Sequence, residues 1–173
     1  EGGGRFTSID PMWEDYRAWS PYQYSMNNPM RLVDPSGLSG TVALEGNTAT
    51  ITQRLYFYQA KGSKLSPEDF NKQVQASMQS ISQWDQKTAN IAGKDYTLCL
   101  NVSYETISYQ QAEKMSAENT SVVNNFIGIS SEVGAGESSA QFNQAMFSTA
   151  DIATGTTPAH EYGHLLGIKG HSE

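Results

Sequence analysis

The 173-residue chain carries 11 basic against 18 acidic residues, a net charge of −7, and its mean hydropathy is −0.51. With no Lys/Arg cluster, this balance argues against nucleic acid or an anionic membrane as a partner. No apolar run approaches the roughly 18 residues that a membrane span needs. One cysteine excludes an internal disulfide, so the fold must stand on its core. That residue, Cys99, lies among Thr97, Leu98 and Leu100, which predicts a buried, inert thiol.

Residues 1–38 differ in kind from the rest of the chain. They open on Glu1-Gly2-Gly3-Gly4, with no secretion signal, and read as the middle of a longer protein. Phe6, Trp13, Tyr16, Trp19, Tyr22 and Tyr24 alternate with Pro11, Pro21, Pro29 and Pro35, and no helical or strand period persists. Asn27-Asn28-Pro29 and Asp34-Pro35-Ser36-Gly37 are turn signals. The expectation is an irregular, aromatic-clamped strap, succeeded by a second unit over 39–173.

In that unit, Thr41 to Leu44 and Thr48 to Tyr58 read as strand, with a turn at Gly46-Asn47. Ser66-Pro67-Glu68-Asp69 is a helix start: a serine cap, proline in the first position, acids in the first turn. Phe70, Val74, Met78, Ile81 and Trp84 continue at helical spacing, predicting about five turns with one buried stripe. Tyr96 to Ile107 alternates as a second strand, Tyr109 to Glu118 reads as a short helix, and Val122 to Ser130 as a more buried strand. Ser131 to Ala140 is small, polar and glycine-rich, a loop expected to rim or cover a site. Gln141 to Asp151 should hold one or two short strands. Thr156 or Thr157 then caps a last helix with Pro158 at its first position. Strand, helix, strand implies a right-handed crossover. The fold class expected is α+β, α/β-like: a mixed, mostly parallel sheet, a long crossover helix and a C-terminal helix that carries the chemistry.

That last helix contains His160-Glu161-Tyr162-Gly163-His164, and all three histidines of the chain fall between positions 160 and 171. Four residues apart, His160 and His164 leave the same helix face and can hold two corners of a tetrahedral Zn²⁺. Leu165 and Leu166 would anchor the opposite face. Gly167 suits the helix end, and a turn through Gly170 could bring His171 to the metal as third ligand. Glu161, beside a ligand, is placed to act on a water rather than on the metal. Three ligands with an acid beside them favour an open, catalytic zinc site over a structural one.

The segment resembles the metzincin zinc peptidases, whose pattern is HExxHxxGxxH or HExxHxxGxxD. His160, Glu161, His164 and Gly167 match position for position, while the third-ligand slot falls on Gly170 and the histidine comes one residue later, at His171. Metzincins continue into a subdomain with a Met-turn beneath the zinc, whereas this sequence stops two residues after His171, so the expectation is either a minimal site or one completed differently. The resemblance implies a zincin-like fold, with an edge strand somewhere in 137–144 that pairs with extended substrate. It also implies a zinc metalloendopeptidase acting on a peptide or protein. Oxyanion stabilisation should come largely from the zinc, with Tyr162 and several tyrosines elsewhere available as donors, and Asp151 is near in sequence as a candidate partner for the imidazoles. Two other readings fit the same residues: a degenerate zinc-binding structural or interaction module, and another zinc hydrolase such as a cell-wall amidase.

Residues 1–38 are similar to the end of an RHS-repeat-associated core of the Bacteroidetes type. The matching residues are Gly4 to Pro11, Ser20 to Tyr24, Asn27-Asn28-Pro29 and Val33 to Leu38. The resemblance implies that 39–173 is a variable payload, often a toxin, behind an RHS shell. It implies a bacterial source, export to a secreted or cell-envelope location, and a cognate immunity protein. Some relatives cleave themselves after this motif, which maps to Leu38–Ser39 with Asp34 and Asp10 as acids, although Trp13 stands where they have glycine. The plainer expectation is that both aspartates cap turns.

Overall fold

Alternating apolar residues set the sheet. The structure, a computed structural model, describes residues 40–91, 93–141, 143–155 and 157–166. Strands β1 (Thr41–Glu45) and β2 (Thr48–Gln59) form the expected hairpin around Gly46, whose φ of 58° is the left-handed turn conformation that glycine tolerates. Helix α1 (Pro67–Ile81) starts as predicted, with the Ser66 hydroxyl accepting from the Asp69 N–H at 3.0 Å. It ends earlier than the expected five turns. The chain tightens into a 3₁₀ turn over Ser82–Trp84, so Trp84 leaves the helical stripe.

Strands β3 (Thr88–Ile91) and β4 (Lys94–Thr106) form a second hairpin, whose first strand the sequence did not betray. Helix α2 (Tyr109–Ala117) comes next, opened by a capping box between Ser108 and Gln111. Strands β5 (Asn124–Ser130), β6 (Ser139–Gln141) and β7 (Gln144–Ser148) complete the sheet. Two helices close the described chain, α3 (Thr149–Ile152) and α4 (Thr157–Leu165). Asp151, expected at the end of a strand, therefore sits on a helix.

The sheet order is β3-β4-β2-β5-β7-β6, with β1 also on β2. The long ladders are parallel and central: β4 and β5 flank β2, and β7 continues from β5. The short ladders at the margins are antiparallel. The molecule is thus a mixed α+β fold on a sheet of parallel and antiparallel strands.

One face of the sheet carries Leu55, Phe57, Ile127, Ile129, Ala145 and Phe147, with Phe57, Ile127 and Ala145 in one register row and Ile129 opposite Phe147. Val74 and Ile81 of α1, and Tyr162 and Leu165 of α4, pack onto it. At about 1.5–3 kcal/mol for each large side chain taken from water, this layer is the main stabilising term. On the reverse face Tyr56 stacks on Phe126 at 5.3 Å, and Tyr58 meets Tyr109 of α2. Cys99 is half-buried on β4, more accessible than its neighbours predicted, because it faces away from the helix-covered layer.

Candidate metal centre

Helix α4 is fixed in place mostly by groups from α1 and its 3₁₀ extension. The Ser80 hydroxyl donates to the Gly155 carbonyl at 2.8 Å and accepts from the Ala159 N–H at 3.0 Å. A side chain distant in sequence thus takes up one of the N–H groups that a helix start leaves without an intrahelical partner. The Gln83 amide donates to the same Gly155 carbonyl, and the Trp84 indole N–H donates to the Ala159 carbonyl at 2.6 Å. Gly163 explains how closely the indole can lie. A Cβ there would meet Trp84 Cζ2 at 2.9 Å, so only glycine lets the ring pack flush on α4.

The inward face of α4 is locked as well. Leu165 is fully buried, as expected, and the partly buried Leu166 packs against the same core. Tyr162 is also fully buried, with its hydroxyl donating to Gln53 Oε1 inside the core. Burial raises its phenol pKa far above the ordinary value. Tyr162 is therefore a core anchor facing away from the histidines, and the expectation that it could serve as an oxyanion donor is corrected.

With one face locked, the other is aimed outward. His160 is exposed and His164 half-buried, one turn apart, with Nε2 atoms 3.2 Å from each other and rings edge to face. Two imidazole nitrogens on one tetrahedral zinc, each at about 2.0–2.1 Å, stand about 3.3–3.4 Å apart. The observed separation fits two corners of such an ion. Glu161 adds a carboxylate, and donor atoms of His160, Glu161 and His164 all lie within 4.8 Å of one another. Gly167, Gly170 and His171 lie outside the described residues, as do Asp10, Asp34 and Leu38–Ser39.

Glu161 points inward, only 8 % exposed. Burial pushes its carboxyl pKa above the ordinary value; the two imidazoles pull it down, and the nearby Asp151 charge raises it again. The Ala140 backbone N–H adds a smaller pull downward. That group belongs to β6, the antiparallel margin of the sheet, which packs against α4.

Asp151 has a different task from the one expected. Its carboxylate accepts from the Gly136 N–H at 2.7 Å, the Ser138 N–H at 3.1 Å and the Ser138 hydroxyl at 2.6 Å. These hydrogen bonds, led by the Ser138 hydroxyl, hold its pKa below the ordinary value. Both oxygens are thus engaged by the glycine-rich loop. Sequence reasoning missed the roles of Ser80, Trp84 and Gln53. One signal was present: Ser77 and Ser80 are hydroxyls on the same stripe as Val74 and Ile81, and a polar group on an apolar stripe needs a partner. No protein-family model, curated protein or solved structure matches the chain.

Proposed function

We propose that the unit from residue 39 to the end is a zinc metalloendopeptidase, with His160, His164 and His171 as metal ligands and Glu161 as general base. The observation that carries this reading is the 3.2 Å separation of the two Nε2 atoms beside a buried carboxylate. Zinc, when bound, supplies a Lewis acid that acidifies a water and polarises a carbonyl. Glu161 takes the proton of the attacking water on its carboxylate and passes it to the departing amine nitrogen. Its burial suits that work, since a carboxylate with a raised pKa takes up a proton more readily than an exposed one.

An extended peptide suits the neighbouring margin of the sheet. Strand β6, in which Ala140 opposes Ala145 of β7, is the antiparallel margin beside α4, and backbone pairing to a sheet margin holds a peptide whatever its side chains. A zinc held for stability alone fits less well. Core burial of Tyr162 and Leu165, with the bonds from Ser80 and Trp84, already holds α4 without a metal. The likeness of 1–38 to the end of an RHS core makes this peptidase the payload of an exported bacterial shell protein, with a cognate immunity protein as partner.

The test is metal content by elemental analysis with peptide-library cleavage, on the parent, Glu161→Ala and His171→Ala. The expected result is about one zinc per chain in the parent and in Glu161→Ala, with cleavage only in the parent. His171→Ala should lose the metal. Cleavage retained by Glu161→Ala would sink the mechanism, and a chelator that unfolds the protein would favour a structural zinc.

A further inference from the structure

We propose that Ser80 and Trp84 are positioning residues for the histidine pair, acting through the backbone of Ala159 and Gly163; the metal part of this inference rests on the zinc reading above. Ala159 directly precedes His160, and side chains from α1 and its 3₁₀ extension hold both of its backbone polar groups. The Ala159 N–H donates to the Ser80 hydroxyl at 3.0 Å, and the Ala159 carbonyl accepts from the Trp84 indole N–H at 2.6 Å. The first is an N–H in the opening turn of α4, which has no intrahelical partner. The second is a carbonyl, whose two lone pairs let the indole share it with the helix. Ser80 also donates to the Gly155 carbonyl at 2.8 Å, so one hydroxyl joins the turn before α4 to the helix itself.

Gly163 directly precedes His164, and the same indole lies on it: a Cβ there would stand 2.9 Å from Trp84 Cζ2. One ring thus spans a turn of α4 and touches the residue before each histidine. The 3.2 Å between the two Nε2 atoms needs none of this, because helical spacing alone sets it. Spacing leaves open where the pair stands. A helix that slid along its axis, or turned about it, would keep the histidines together and carry both away from the β6 margin. Burial of Leu165 is non-directional and resists that weakly. The Tyr162 hydroxyl holds Gln53 only from the end of a long side chain. The bonds to Ala159 grip the backbone itself, where distance and angle are both constrained.

Zinc affinity of the metal-free full chain, measured by competition with a chromophoric chelator, tests this without reference to activity. Ser80→Ala and Trp84→Phe, each confirmed folded by circular dichroism, should bind zinc on the order of tenfold more weakly than the parent. Phe126→Leu is the control: it weakens the stack with Tyr56 on the reverse face, and should lower the melting temperature with zinc affinity kept. In the metal-free chain, NMR should show the Ala159 amide exchanging about tenfold faster in Ser80→Ala. Nuclear Overhauser contacts from α4 to β6 should weaken in both variants. Trp84→Phe keeps a ring on α4 should Ser80→Ala fold poorly. Zinc affinity equal to the parent's in both folded variants would overturn the proposal, since the bonds would then serve stability alone. So would an equal loss of affinity in Phe126→Leu, or an Ala159 amide indifferent to Ser80→Ala. A parent that binds zinc but cleaves nothing leaves the positioning role standing and sinks the peptidase reading. A parent that takes up no zinc sinks the zinc reading, and the contacts from α4 to β6 then decide: unchanged in both variants, they overturn the positioning role as well.

Discussion

Both flanks of the sheet end in a short antiparallel hairpin, β3 on β4 at one side and β6 on β7 at the other, around the same parallel centre. At the β3 flank, polar bonds close the hairpin itself. Asn90 bonds Asp95 at 2.7 Å and the Gly93 N–H at 3.1 Å, while Lys94 reaches the Gly46 carbonyl and lies over the Tyr96 ring. At the β6 flank the polar groups reach outward, from the N–H and hydroxyl of Ser138 to Asp151 on α3. The difference arises in the chain beyond each hairpin. After β7 it folds into α3 and α4, and α4 returns over β6. That return brings the carboxylate and both imidazoles beside the β6 margin.

Cutting the core beneath each flank should break this comparison most strongly. Phe147 on β7 is 1 % exposed and shares the main core with Tyr162 and Leu165. Phe147→Ala should cost about 3–5 kcal/mol in urea unfolding and carry metal binding down with it. Leu98 on β4 is comparably buried but belongs to a small cluster with Ala49 and Ile51. Leu98→Ala should cost about 2 kcal/mol, the low end for such truncations, and leave the parent's zinc stoichiometry intact. Equal loss of metal in both variants would show that the two flanks are not separable.

Next in size is Gly163→Ala. Helix propensity alone would favour the alanine by about 1 kcal/mol. Its Cβ would press on Trp84 Cζ2 at 2.9 Å, part of a rigid indole tied to Ala159, and overpacking costs about 1–3 kcal/mol. The variant should therefore be destabilised, and its zinc affinity should fall as α4 shifts. Adding Trp84→Phe should recover part of the loss. A more stable Gly163→Ala would mean that the indole moves aside freely.

The helix starts and the long strands were legible in the sequence because they rest on local chemistry. Ser66 and Pro67 mark a helix start wherever they stand, and Thr48 to Tyr58 alternates over enough residues to reveal a strand. The pair His160 and His164 was legible for the same reason, since helical spacing alone puts both on one face. The hidden features depend on partners far along the chain. Thr88–Ile91 is a strand only because β4 pairs with it. Ser80 looks like an ordinary helix residue until α4 arrives above it. Asp151 could be placed near the site, but its carboxylate is turned away by a loop whose conformation no short pattern encodes.

Acid should separate the two flanks more gently. The folded pKa of Asp151 is lowered, so its contribution is complete above the unfolded value of about 3.9 and is lost as pH falls through the folded value. Thermal unfolding of the parent and Asp151→Asn from pH 7 downward should show a gap that narrows below about pH 4. A gap constant with pH would mean that the charge of Asp151 adds nothing to its bonds with Gly136 and Ser138. The smallest effect belongs to the β3 flank. Asn90→Ala removes bonds to Asp95 and Gly93 that are exposed to solvent, and surface changes of this kind usually stay within about 0.5 kcal/mol. Zinc content, zinc affinity and kcat should all equal the parent's. A fall in any of them would mean that strain passes from β3 across the parallel strands to β6, and that the chemistry of one flank depends on the whole sheet.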